Sequence, residues 1–83
     1  MKKEYIVVAS VNDNISVLNR ITATYIKRHL NIDSLNVSNS SKKGVSNVLI
    51  SCVTTKEAME QIVKQIGNMI DVLSVRFYQS ALQ

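Results

Sequence analysis

Ile32-Asp33-Ser34-Leu35-Asn36-Val37 and Ile70-Asp71-Val72-Leu73-Ser74-Val75 share one pattern, Ile-Asp-x-Leu-x-Val. Each copy follows a segment whose apolar residues recur at helical spacing, so the chain reads as two helix-then-strand halves. Within a strand, alternation puts the Asp, Leu and Val of each copy on one face. Leu35 and Val37, and likewise Leu73, Val75 and Phe77, are expected to point at the helices. Neither half can bury its apolar face alone, which requires the two to share a sheet.

Upstream of the first copy, Tyr5 to Val11 is apolar on both alternating sets and rich in β-branched residues, as in a central strand covered on both faces. Asn12-Asp13-Asn14 breaks it with residues that favour turns and caps. From Val17 to Arg28, Leu18, Ile21, Thr22, Tyr25 and Ile26 fall at helical spacing, with Ser16 or Asn14 as the expected N-cap. Lys27, Arg28 and His29 close that helix with basic groups, where its dipole favours them. The first copy then predicts a strand over 31–38, and Ser38 to Gly44 predicts a hairpin loop into a strand over 45–53.

Thr54-Thr55-Lys56-Glu57 fits a capping box, with Thr54 three residues before Glu57. Met59, Ile62, Val63, Ile66 and Ile70 form the stripe of a second helix, and Gly67 suits the left-handed position that stops one. The second copy opens a final strand over 71–79. The order β-α-β-β-α-β predicts an α+β, ferredoxin-like sandwich: a four-stranded antiparallel sheet with both helices on one face.

Eighty-three residues, 46% apolar, with no Pro and two Gly, describe one small domain rather than a linker or a disordered chain. The net charge of +4 comes from basic residues scattered along the sequence, which reads as a solvated surface rather than a nucleic-acid stripe. Cys52, the single cysteine, has no partner for an intrachain disulfide, and its apolar neighbours suggest a buried small hydrophobe. No stretch approaches the roughly 18 apolar residues of a membrane span, and no signal peptide is recognisable, so a cytoplasmic protein is expected.

Common occupants of this fold can be tested by residue type. The third strand has no aromatic for base stacking, there is no Cys-x-x-Cys pair for soft metals, and no glycine-rich loop ends in Arg. No nucleophile, base and orienting group occur as a set, and His29 reads as a helix-end cation. Enzyme activity is not expected. The loop from Asn12 to Leu18 remains. Free N–H groups at a helix start bind a carboxylate, and an adjacent Asp or Asn accepts from an ammonium, so a free amino acid would suit both. Equally, Asp13, Asn14 and Ser16 could serve only to cap the helix.

At this point the residues resemble a family. Asp13-Asn14-Ile15-Ser16-Val17-Leu18-Asn19-Arg20 and Asn31-Ile32-Asp33-Ser34-Leu35-Asn36-Val37 are similar to the ACT domain of the small, regulatory subunit of acetohydroxyacid synthase (acetolactate synthase). That family typically reads Asn-x-x-Gly-x-Leu-x-Arg and Asn-Ile-x-Ser-Leu-x-Val at these places. Gln61 to Ile66 and Ile70 to Val75 resemble its closing motif, so the likeness covers nearly the whole chain as one ACT domain, residues 1–83.

The resemblance implies a non-catalytic partner of an enzyme that carries thiamine diphosphate, FAD and magnesium and joins two 2-oxo acids in branched-chain amino-acid synthesis. It further implies a homodimer, with the sheets side by side as one eight-stranded sheet, and valine at the junction. Asp13, Ser16, Val17 and Leu18 of one copy and Asn31 and Ile32 of the other would hold that effector. The loop departs from the family at two positions: Asp13 replaces Asn, and Ser16 replaces the glycine that allows close approach to the backbone. A second domain usual in such subunits lies outside these residues, so a short-form subunit or an excised domain is expected. The alternative is a stand-alone amino-acid-binding ACT module serving another enzyme.

Overall fold

Alternation along β1 (Lys3–Asn12) decides where the core lies: Tyr5, Val7, Ala9 and Val11 are buried, while the residues between them are only partly so. The computed structural model describes residues 1–12 and 15–81. The remaining elements are α1 (Ile15–Lys27), β2 (Ser34–Asn39), β3 (Val45–Thr54), α2 (Lys56–Gly67) and β4 (Val72–Gln79). All pairings are antiparallel, in the order β2-β3-β1-β4. The βαββαβ expectation holds.

Val17, Ile21 and Tyr25 of α1 and Met59, Ile62 and Ile66 of α2 join the buried set of β1 and Val48, Ile50 and Cys52 of β3 in one core. Both helices therefore cover the same face of the sheet. Tyr5 and Phe77 meet edge-to-face across β1 and β4, with centroids 5.8 Å apart. The other face is uncovered and carries Leu49, Val53 and Tyr78, all exposed. There Ser34 and Ser51 hydroxyls bond at 2.6 Å, which helps fix the β2–β3 register.

The two Ile-Asp-x-Leu-x-Val copies behave differently from expectation. Leu35 and Val37 do share the helix face, opposite Ile50 and Val48, but they remain 45% and 43% exposed. The reason is position: β2 is an edge strand, and α2 lies against β4 and β1 instead. In the second copy, Val75 and Phe77 pack against the core as expected, whereas Leu73 is exposed. A register shift between Ser10 and Val11 pairs Val11 with Val72 and puts Leu73 at the irregularity.

The ends of the helices also correct three expectations. Thr55, not Thr54, caps α2: its side chain accepts from the Ala58 N–H at 3.2 Å, while Thr54 is buried at the end of β3. Gly67 is the last residue of α2 and does not take a left-handed conformation. A Cβ there would lie 3.4 Å from Val75 Cγ1, at the near limit of ordinary van der Waals contact, so neither backbone conformation nor packing demands glycine at this position. The left-handed terminator is His29 (φ 57°), after α1. Leu30 N–H donates to the Tyr25 carbonyl and His29 N–H to that of Ile26, the paired bonds of a Schellman stop. Ser16 lies inside α1 and so cannot be its N-cap, and Asn14 falls outside the described residues. The first copy's strand starts at Ser34 rather than Asn31.

Candidate functional site

The helix start that follows β1 is held by Asp71, from the second Ile-Asp copy. The Asp71 carbonyl accepts from the Asn12 backbone N–H at 2.9 Å, and its carboxylate accepts from the Asn12 side-chain amide at 3.3 Å. Arg20, on α1, lies 3.7 Å from the same carboxylate. The end of β1, the start of β4 and the first half of α1 are thereby tied together around the loop. The first turn of α1 itself contains no acidic residue.

Of the expected effector residues, Asp13 lies outside the described residues. Ser16 is exposed in the first turn of α1. Val17 is 1% exposed, so its side chain belongs to the core, and only its backbone is on offer to a ligand. Leu18 and Ile32 are half-buried against that core, and Asn31 is exposed. One copy does not bring these residues together. Ser16, Val17 and Leu18 stand at the start of α1, Asn31 and Ile32 follow its end, and a 13-residue helix rises about 20 Å.

A different group does converge within one copy. Arg20, Ala23, Thr24, Lys27 and Arg28 of α1 and its end, with Gln65 of α2 and Met69 after it, line an open cleft of about 370 Å³. Arg28 Nε donates to Gln65 Oε1 at 3.0 Å across it. The basic residues, scattered in sequence, are in part gathered here by the i, i+4, i+7 spacing of Arg20, Thr24 and Lys27. A second cleft of about 300 Å³ is formed by the β2–β3 hairpin around Lys42, Lys43 and Gly44.

Two acidic protons are held in the core. Burial pushes the Cys52 thiol up to about 11, with the Asp33 and Glu4 charges adding to it. Burial, then the neighbouring Cys52, pushes the Tyr25 phenol up further. The Tyr25 hydroxyl has no hydrogen-bond partner among the described residues. Cys52 is the buried free thiol expected of its apolar surroundings. Among the described residues there is no group of three or more His, Cys, Asp or Glu able to hold a metal ion, and no helix long and apolar enough to cross a membrane.

Residues 8–74 match the AHAS small subunit-like ACT domain. The chain belongs to that family. It is 39% identical over 71 residues to the acetolactate synthase small subunit of Bacillus subtilis, an alignment covering 84% of this chain and 41% of that relative. With the Aquifex aeolicus small subunit it shares 32% over 73 residues, 88% of this chain and 38% of the relative. The ACT chain thus spans about two-fifths of the length of these relatives. Among solved structures, the acetolactate synthase small subunit from Thermotoga maritima superposes with a TM-score of 0.79 at 27% identity, over 89% of this chain and 46% of that one. The ACT domain from the GTP pyrophosphokinase of Chlorobium tepidum has the same fold, with a TM-score of 0.75 at 16% identity over 94% of this chain and all of that one.

Proposed function

We propose that residues 1–83 act as one ACT domain of a regulatory, non-catalytic subunit of acetohydroxyacid synthase, binding and activating the catalytic subunit in the cytoplasm. The observation that carries this reading is the family match over 8–74, together with the similarity to acetolactate synthase small subunits from several organisms. Thiamine diphosphate, FAD and magnesium would belong to the catalytic partner. This chain would supply contact surface and control.

The reading extends to a homodimer with a shared effector site. β2 is a bare edge, and its Leu35 and Val37 stay exposed on the helix face, where a second β2 would cover them. Pairing two antiparallel β2 strands about a two-fold axis turns one copy end for end relative to the other. The end of one α1, with Asn31 and Ile32, then comes to the side of the sheet where the partner's α1 begins. That relation supports an effector held by Asp13, Ser16, Val17 and Leu18 of one copy and by Asn31 and Ile32 of the other. The backbone N–H groups would take the carboxylate of a free amino acid such as valine, and Asp13 its ammonium.

Gel filtration of the chain with its cognate catalytic subunit, and sedimentation of the chain alone, test the two parts. Co-elution and a dimer are expected; separate elution would overturn the subunit reading. Calorimetric valine binding without co-elution would favour a stand-alone amino-acid-binding module.

A further inference from the structure

The cleft between α1 and α2 is distinct from the effector residues and has its own chemistry. Three of its seven lining residues, Arg20, Lys27 and Arg28, are cationic, and none is acidic. Arg20, Thr24 and Lys27 stand along one side of α1 over about 10 Å. Arg20 is partly compensated by Asp71 at 3.7 Å. Lys27 and Arg28 have no such counter-charge among the described residues. Gln65 takes one N–H of Arg28 through a neutral amide, which orients the guanidinium without cancelling its charge. The nearby negative end of α1 is also muted, because the Tyr25 and Ile26 carbonyls already accept from Leu30 and His29. Ala23 and Met69 give the cleft a partly buried lining beneath the charges. Its volume falls in the range of small-ligand sites.

We infer that this cleft binds a small multivalent oxyanion, a phosphate- or carboxylate-bearing ligand, with Lys27 and Arg28 as its main cationic contacts and Gln65 holding Arg28 in place. The hairpin cleft around Lys42 and Lys43 supplies an internal control: it is also basic, but its cations are two lysines on an exposed loop, with no guanidinium fork.

Amide and arginine-Nε chemical shifts of the 83-residue chain, followed during titration with pyrophosphate and separately with citrate at constant low ionic strength, test the inference. Saturable shifts confined to Arg20, Thr24, Lys27, Arg28, Gln65 and Met69 are expected. Tighter pyrophosphate binding would assign the site to phosphate ligands, and tighter citrate binding to polycarboxylates. The double variant Lys27→Gln/Arg28→Gln should weaken binding at least about tenfold while leaving the spectrum of the core unchanged, and Lys42→Gln/Lys43→Gln should leave binding intact. Shifts that fail to saturate, that spread equally to Lys42 and Lys43, or that survive Lys27→Gln/Arg28→Gln would overturn it. The readout needs no catalytic subunit, so its failure is separate from any failure of the regulatory reading.

Discussion

Arg20 Nη2 lies 3.7 Å from the Asp71 carboxylate, which also accepts from the Asn12 side chain at 3.3 Å. A single acid of the second Ile-Asp copy therefore braces both sides of the loop that opens α1. The corresponding acid of the first copy, Asp33, is exposed, and its backbone N–H donates to the Ser51 carbonyl at 2.8 Å. The repeat is one pattern with two tasks. The second copy closes the fold around the candidate effector loop, and the first enters the edge strand.

Asp71→Asn tests the brace. Arg20 is exposed and Asp71 only partly buried, and the pair is long at 3.7 Å, so the loss in stability should stay below about 1 kcal/mol. Hydrogen exchange should nevertheless quicken at the Asn12 amide, because the start of β4 is less firmly tied to the end of β1. Unchanged exchange at Asn12 would leave the carboxylate without a bracing role.

Core acids set the response to alkali. The Cys52 thiol is raised from 9.0 to about 11 in the folded chain, so the unfolded chain ionises first. Its contribution to stability is fully present below pH 9 and is lost as pH rises through 11, on the order of 2 kcal/mol in all. Thermal unfolding from pH 7 to 11 should show this fall, and Cys52→Ala should remove the part that begins near pH 9, leaving the part due to the buried Tyr25 phenol above pH 10, while lowering stability at neutral pH through the cavity left behind. Tyr25→Phe removes a buried hydroxyl that has no partner and should leave stability unchanged or raise it by up to about 1 kcal/mol.

His29 occupies the left-handed position that ends α1, with φ 57°. His29→Gly relieves the Cβ clash of that conformation and should stabilise the domain by about 0.5–1 kcal/mol in denaturant unfolding. A loss of stability would mean that the imidazole makes a contribution larger than the backbone strain.

Ser16 and Asn31 carry the effector proposal. Ser16→Gly opens the backbone at the start of α1 and should create or strengthen valine binding by calorimetry, at a cost to the helix of below about 1 kcal/mol. Adding Asn31→Ala should then remove that gain. Binding unaffected by Asn31→Ala would separate the first Ile-Asp copy from the effector site.

The order of elements is legible in the sequence because β1 and the two helical stripes carry strong, uninterrupted periodicities. What alternation does not reveal is coverage: Leu35 and Val37 have the right face but sit on an edge strand, where they stay nearly half exposed. Leu73 is displaced by a register irregularity with no signal in its own strand. Thr54 and Thr55 offer equal capping chemistry, and the choice follows from how far β3 pairs with β1, since Thr54 is opposite Lys3. At the candidate site, the separation of Ser16 from Asn31 by the length of α1 follows from the helix itself. The gathering of Arg20, Lys27 and Arg28 beside Gln65 depends on how the two helices pack, although the spacing along α1 already aligns Arg20 with Lys27.

The most direct measurement is the rate of acetolactate formation by the cognate catalytic subunit, loaded with its cofactors, as this chain is added. The expected result is a rate that rises and saturates with added chain, in step with co-elution. A rate that stays at the level of the catalytic subunit alone across the titration would contradict the regulatory role.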